Sequence, residues 1–134
     1  ARAQNIAIRL ETGPVTVSGN AVLLERTLFN LMENAVKYNR PGGTVTVRTM
    51  CAGTCARVEV CDEGVGIPPE FREQIFEPFF RVDKSRSRQL GGAGLGLSLV
   101  RAIAELHGGS VRAEAVQDRG SRFLLVLPRL LEAP

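Results

Sequence analysis

Residues 20–39, with the sequence NAVLLERTLFNLMENAVKYN, predict one long helix with two different sides. Its apolar residues recur at spacings of three and four, which is typical of the buried stripe of an amphipathic helix. This stripe consists of Leu24, Leu28, Leu31, Met32 and Ala35. Ser18 or Asn20 can cap the N-terminus through a side-chain oxygen, and the turn Pro41-Gly42-Gly43 ends the helix.

Outward from this helix, alternating polar and apolar residues predict strands, with glycine and proline at the turns. The predicted strands are 5–10, 44–50, 56–61, 110–115 and 121–127, with a further short strand at 14–17. We predict a short helix at about 68–75, a long loop at 76–93 and a loose tail at 129–134. A second long helix is predicted at 94–107, with a buried stripe of Leu95, Leu99, Ile103 and Leu106. Helices covering one face of a mixed sheet are the natural packing, in a single domain over residues 1–134.

The composition argues against several classes of partner and location. The net charge is only +3, and with one Tyr, six Phe and no Trp the chain has little aromatic interleaving for stacking on bases, so a nucleic-acid partner is not expected. No run of 18 apolar residues and no signal peptide is present. The missing initiator Met indicates either an excised fragment of a longer protein or removal of the Met by N-terminal processing. Cys51, Cys55 and Cys61 lack zinc-site spacing and are expected to be reduced, with a Cys51–Cys55 disulfide left open.

A polar stripe lies beside the leucine stripe of the first long helix. Asn30, Asn34 and Lys37 are spaced i, i+4 and i+7, and Tyr38 follows Asn34 by four positions. Asparagine is not favoured inside a helix, so the stripe indicates either a ligand-facing side or an ordinary solvent-facing one. An amide oxygen suits Mg²⁺, and Lys37 could meet a phosphate.

Two glycine-rich turns follow predicted elements. In Asp62-Glu63-Gly64-Val65-Gly66, the carboxylate can accept a hydrogen bond from an exocyclic amine while the glycines let a ligand approach; a plain turn is equally compatible. Residues 91–97, GGAGLGL, lead into the second long helix, where free backbone N–H groups and the helix dipole can bind an anion. The sequence contains no GxxxxGK[ST] motif, and the GxGxxG register fails.

The long loop begins with Phe76-Glu77-Pro78-Phe79-Phe80-Arg81. Three Phe are costly to expose, so we expect them to dock on the body of the domain. The basic residues that follow are expected to form a flexible lid over negative charge, although a solvated charged loop has the same composition. They are Arg81, Lys84, Arg86 and Arg88.

The order of these features resembles the ATP-binding catalytic domain of bacterial two-component sensor histidine kinases, within the gyrase, Hsp90, histidine kinase and MutL superfamily. The resemblance extends from about residue 5 to residue 128. It implies a Bergerat-type α/β (α+β) two-layer sandwich, with a mixed, mainly antiparallel five-stranded sheet covered on one face by about three helices. It also implies an ATP-dependent protein-histidine kinase with ATP and Mg²⁺ as cofactors.

Residue by residue, the resemblance implies Asn34 as the Mg²⁺ ligand, Asn34 and Lys37 as catalytic residues, and Asp62 as acceptor for the adenine amino group. The implied nucleotide site consists of Asn30, Asn34, Lys37, Tyr38, Asp62, Gly64, Gly66, Ile67, Phe80, Arg81, Gly92, Gly94, Leu95, Gly96, Leu97 and Ser121. Two positions depart from the family pattern. Ala93 replaces a frequent Thr, and Asp118 replaces the first glycine of a later turn, which weakens that turn's role in closing the adenine pocket.

Hydrolysing members of the superfamily resemble one another in a Glu four residues before the metal Asn. Asn30 stands there and cannot act as a base, so the resemblance implies transfer rather than hydrolysis. The implied partners are a helical dimerisation and phosphoacceptor domain, absent here, and a response regulator. The full-length protein would be a homodimer and the isolated domain a monomer, in the cytoplasmic part of a membrane-anchored sensor. His107 is expected to interact with a helix C-terminus rather than to accept phosphate.

Three alternatives share the fold. They are an inactive nucleotide-sensing module, a gyrase-type ATPase and a serine kinase that phosphorylates an anti-sigma antagonist. The intact Asn stripe and lid, Asn30 and the Phe-rich loop favour the histidine kinase over them.

Overall fold

The computed structural model describes residues 6–13, 15–80, 96–116 and 120–129. One sheet contains β1 (Ala7–Thr12), β2 (Thr44–Ala52), β3 (Cys55–Cys61), β4 (Ser110–Ala115) and β5 (Ser121–Pro128). The strand order is β1-β2-β3-β5-β4; β1 and β2 are parallel and the other pairs are antiparallel. Two α-helices are described, α1 (Ala21–Lys37) and α2 (Gly96–Leu106). The predicted mixed, mainly antiparallel five-stranded sheet is confirmed.

Both helices pack on the same face of the sheet. Alternate residues of the central strands point towards them, as expected for a strand with one buried face. These strand residues are Val45, Val47, Val58, Val60, Phe123, Leu125 and Leu127. On the helix side, Leu31 and Ala35 of α1 and Val100 and Ala104 of α2 are fully buried. This single core holds α1 and α2 side by side above the sheet.

The opposite face of the sheet is largely polar, although it includes the buried Leu124 of β5. Arg48 donates from Nε to Glu11 at 2.7 Å, and Arg122 donates from Nε to Glu114 at 2.9 Å. Cross-strand pairs of opposite charge suit a solvent-facing sheet surface. The two-layer arrangement therefore follows from the alternation of the strands.

The N-terminus of α1 is capped by one of the two residues that the sequence predicted for this role. Asn20 is the N-cap, and its Oδ1 accepts a hydrogen bond from the Leu23 N–H at 3.1 Å. The stripe is only partly right, because Leu28 is 38% exposed while Thr27 is fully buried. Thr27 tolerates burial because its hydroxyl donates to the Leu23 carbonyl at 3.0 Å.

The predicted stripe of α2 is wrong at two of its described positions. Leu99 and Leu106 are exposed, whereas Val100 and Ala104 are buried beside Ile103. Leu95 lies outside the described residues. Nearly all residues of α2 are apolar or small, so periodicity does not select one face. Ala104 on the inner side lets the helix pack closely.

Two smaller predictions also need correction, and one alternative that the sequence left open is disfavoured. The helix predicted at 68–75 is instead two 3-10 turns, Pro69–Phe71 and Gln74–Phe76. In place of the short strand at 14–17, the described residues 15–17 form only an isolated bridge between Val17 and Arg129. The β2–β3 register pairs Cys51 with Ala56 and Ala52 with Cys55. Because consecutive residues of a strand point to opposite faces of the sheet, the side chains of Cys51 and Cys55 lie on opposite faces, and a disulfide between them is disfavoured.

His107 joins the ends of the two helices. Its Nδ1 lies 2.8 Å from the Ile103 carbonyl, and its Nε2 accepts from the Asn20 N–H at 3.0 Å. With Nε2 as the acceptor, Nδ1 is the ring nitrogen that donates to the Ile103 carbonyl. The predicted contact with a helix C-terminus is thus present, together with a second contact to the start of α1.

No described helix combines the length and hydrophobicity needed to cross a membrane.

Candidate functional site

Asp62 lies where β3 ends beneath the helix layer. Its side chain is 4% exposed, and Oδ1 accepts from the Gly64 N–H at 2.9 Å. The Asp62 N–H donates to the Ser121 carbonyl at 2.9 Å. Three predicted site residues, Asp62, Gly64 and Ser121, therefore lie together.

The pKa of Asp62 is higher than that of an exposed aspartate. Burial raises its pKa from 3.8 to about 6, and hydrogen bonds from the backbone N–H groups of Gly64 and Ser121 oppose this rise. Within the described part of the chain no cation forms a salt bridge with it. A carboxyl offers about four acceptor positions, so this buried group can still accept hydrogen bonds from a neutral donor.

The glycines of the 62–66 turn are required by close packing of the protein on itself. A Cβ on Gly64 would overlap the carbonyl oxygen of Tyr38. Gly66 has a φ of +78° and abuts Gly120, where a Cβ would overlap the carbonyl oxygen of Asp62. The turn therefore packs closely between the end of α1 and the start of β5. The sequence interpretation explained these glycines only by the approach of a ligand and did not include this packing.

Gly64→Ala is expected to destabilise the domain by about 3 kcal/mol or more, because neither backbone segment can yield easily. Thermal unfolding should show a midpoint lower by roughly 10 °C. Gly13→Ala is the matched control, since a Cβ there meets only the Thr49 carbonyl at 3.4 Å. Equal midpoints for the two variants would contradict the close contact at Gly64.

The polar stripe of α1 faces the start of α2. Asn30 Nδ2 lies 3.5 Å from the Gly96 carbonyl, and Asn34 is half-buried one turn further along. Lys37 Nζ is 3.9 Å from Glu33, a partly exposed i,i+4 pair that contributes little and leaves the ammonium available to another anion. The stripe therefore lies beside the end of the glycine-rich segment. Arg81, Gly92, Gly94 and Leu95 lie outside the described residues, as do the basic residues Lys84, Arg86 and Arg88.

Three apolar residues that the resemblance implied for the nucleotide site are described by the structure. Ile67, Phe80 and Leu97 are partly buried and pack against the core. The Phe80 ring lies 5.5 Å from the Phe71 ring, measured between centroids. Phe76 is buried, but Phe79 is 68% exposed at a φ of +66°. The expectation that all three Phe of this loop dock is therefore wrong for Phe79.

Sequence reasoning missed a group of polar residues between α1 and the turn. Asn39 is 3% exposed; its Nδ2 donates to the Thr44 carbonyl at 3.1 Å and its Oδ1 accepts from the Arg40 N–H at 2.9 Å. Glu63 accepts from the Thr44 N–H at 3.0 Å and from Arg40 Nη2 at 3.2 Å. The only available signal was an asparagine after a helix end, which is common in turns.

Together these features define a nucleotide-binding ATPase-type domain. A buried aspartate follows a central strand, and an asparagine stripe faces Gly96 at the start of a second helix on the same side of a mixed sheet. The chain belongs to the family of histidine kinase-, DNA gyrase B- and HSP90-like ATPases, whose sequence profile matches residues 19–131.

Within this family the chain is similar to sensor histidine kinases. It is 44% identical over 117 residues to the sensor-like histidine kinase SenX3 of Mycobacterium tuberculosis, covering 87% of this chain and 28% of SenX3. It therefore spans little more than a quarter of that relative. Among solved structures, the mycobacterial sensor histidine kinase MprB superposes with a TM-score of 0.84 at 34% identity, covering 96% of this chain and 85% of the other. Full-length ShkA in complex with AMPPNP superposes with a TM-score of 0.84 at 29% identity, covering 100% and 28%. The chain has the fold of a histidine kinase catalytic domain.

Proposed function

We propose that this chain binds Mg·ATP and positions it for transfer of the γ-phosphoryl group to a histidine on a separate helical dimerisation domain. The observation that carries the proposal is the buried carboxyl of Asp62, which keeps acceptor positions and lies beside Gly64 and Ser121. Such a carboxyl suits the exocyclic amino group of adenine and disfavours the carbonyl oxygen of guanine. The similarity to ShkA, solved with an ATP analogue, supports the same class of ligand.

Magnesium fits the donor chemistry of the α1 stripe. The described residues contain no cluster of three or more His, Cys, Asp or Glu that could enclose a metal. Mg²⁺ commonly takes one or two protein oxygens and completes its shell with phosphates and water. We assign Asn34 as its protein ligand, with Asn30 and Lys37 near the phosphates and Tyr38 near the base. When bound, the cation neutralises charge on the transferred phosphoryl group.

Transfer rather than hydrolysis follows from position 30. Asn30 stands one turn before Asn34, and its amide cannot take a proton from water at neutral pH. Catalysis would then consist mainly of holding the triphosphate and stabilising its charge through Lys37 and cations of the lid. An ATPase of the gyrase type is disfavoured for the same reason.

The remaining assignments concern the longer protein. We propose that residues 1–134 form one catalytic domain, monomeric in isolation and part of a homodimer in the full-length sensor. Its partners would be its own phosphoacceptor domain and a response regulator, and it would lie on the cytoplasmic side of the membrane. No nucleic-acid partner is proposed, because the chain has one Tyr and no Trp for stacking on bases.

Two measurements test the proposal. Calorimetry should detect binding of Mg·ATP, and adding a helical phosphoacceptor domain from a related kinase with radiolabelled ATP should give a phosphoprotein labile to acid and stable to base. Binding without any phosphoprotein would favour an inactive nucleotide sensor. An acid-stable product would favour a serine kinase, and absence of nucleotide binding would refute the proposal.

A further inference from the structure

A network of hydrogen bonds joins the C-terminal end of α1 to the turn after β3. We name it the helix–turn clamp and define it by Asn39, Arg40, Thr44 and Glu63. One Glu63 oxygen, Oε1, accepts from both the Thr44 N–H at 3.0 Å and the Arg40 guanidinium at 3.2 Å. Asn39 bonds the Thr44 carbonyl and the Arg40 N–H on the other side of the same loop. Both ends of the 40–44 loop are thereby fixed to the turn.

The clamp lies between two parts of the proposed site that are distant along the chain. Asn34 and Asp62 are separated by the whole β2–β3 hairpin. Glu63 directly follows Asp62 in the sequence. In the fold, its side chain binds Thr44 in the loop that follows α1. Gly64 adds a close contact with the carbonyl of Tyr38, the C-cap of α1. The clamp is therefore the short mechanical connection between the helix that carries Asn34 and the carboxyl of Asp62.

We propose that Glu63 is a positioning residue that sets the spacing between the adenine end and the phosphate end of the nucleotide site. The inference rests on the proposed function, because it concerns a ligand that touches both α1 and Asp62. A ligand that spans two groups gains affinity only if their spacing is held at its own length, whereas a ligand that touches one group is indifferent to it. A clamp with this role affects ATP and adenosine differently.

The experiment compares Mg·ATP with adenosine on the protein and on its Glu63→Gln and Glu63→Ala variants. Glu63→Ala removes both hydrogen bonds and should weaken Mg·ATP binding on the order of fivefold, while adenosine affinity changes by less than about twofold. Glu63→Gln keeps an oxygen for the Thr44 N–H and should restore part of the lost Mg·ATP affinity. Arg40→Gln removes the other half of the charged pair and should resemble Glu63→Gln.

Glu11→Gln is the matched control. Glu11 also accepts from an arginine, Arg48, at 2.7 Å, but on the polar face of the sheet at β1. It should bind both ligands as the unaltered protein does, and thermal unfolding of every variant reports any change in stability separately. Equal losses for Mg·ATP and adenosine, or no loss for either in Glu63→Ala, would overturn the positioning role and leave the proposed function standing. Failure of the unaltered protein to bind Mg·ATP would overturn the proposed function itself.

Discussion

Asn34→Ala is expected to abolish Mg²⁺-dependent nucleotide binding while leaving the fold intact. Loss of groups that merely orient a metal ligand costs 10- to 100-fold in affinity, so loss of the proposed ligand should weaken Mg·ATP by at least about a hundredfold. The fold should tolerate the change because Asn34 is half-buried, outside the apolar core, and alanine favours helix. Calorimetry with Mg·ATP gives the affinity, and thermal unfolding checks the fold.

The magnesium dependence separates this role from a general disturbance of the site. In EDTA, the unaltered protein and Asn34→Ala should bind ATP with similar, weak affinity, because the cation no longer contributes to either. Glu25→Ala, at an exposed position of the same helix, is the control for altered helix properties. If Asn34→Ala bound Mg·ATP as tightly as the unaltered protein, the metal assignment would be wrong.

The parts of the fold that sequence predicted well are those in which one local rule dominates. The alternation of β2 and β3 agrees with which of their residues face the helices, and the five predicted strands that form match the structure to within one or two residues. The strand predicted at 14–17 does not form in the described residues 15–17. Side-chain chemistry limited the cap of α1 to Ser18 or Asn20, and the structure selects Asn20. Helix α2 failed because it is apolar on more than one side, and its inner face is chosen by packing against α1 and the sheet. The buried Thr27 escaped prediction because its hydroxyl is satisfied within its own helix turn.

The candidate site divides in the same way. Asp62, Gly64 and Ser121 were predicted as members of one site, and they lie together. The helix–turn clamp was not predicted, because Asn39, Arg40 and Glu63 become neighbours only when the β2–β3 hairpin returns the chain to the end of α1. Phe79 shows the opposite error, since a rule against exposing aromatic residues does not say which of three adjacent ones remains in solvent.

Asp62→Asn is expected to make the nucleotide-free domain more stable at pH 7 by up to about 3 kcal/mol, since a pKa shift of one unit corresponds to 1.36 kcal/mol. The cause is the buried charge, because burial raises the pKa of this carboxyl from 3.8 to about 6. An asparagine oxygen can still accept from the Gly64 N–H, so the substitution removes the charge without losing that hydrogen bond. Denaturant unfolding at pH 7 measures the difference.

The pH dependence fixes the sign of this effect. Between pH 4 and 6 the folded state binds more protons at Asp62 than the unfolded state, so its contribution to stability is complete below pH 3.8 and is lost as pH rises through about 6. The advantage of Asp62→Asn should therefore shrink as pH falls from 7 to 4. Glu11→Gln should have the opposite effect on stability. Because the hydrogen bond from Arg48 lowers the pKa of Glu11, this variant should be less stable than the unaltered protein at pH 7. An advantage that stayed constant over this range would mean that Asp62 titrates normally.

The same substitution should damage recognition of the base. With its oxygen engaged by Gly64, the asparagine presents an NH₂ group, which cannot accept from the adenine amino group but can donate to the O6 carbonyl of guanine. Leaving a polar group unpaired in such a site costs roughly 1–3 kcal/mol, so ATP should bind about ten- to a hundredfold more weakly while GTP gains relative to it. Parallel titrations with Mg·ATP and Mg·GTP measure the ratio. If Asp62→Asn were more stable without ligand and still preferred ATP over GTP as strongly as the unaltered protein, the carboxyl would not recognise adenine. The buried charge, which destabilises the fold, would then need another explanation.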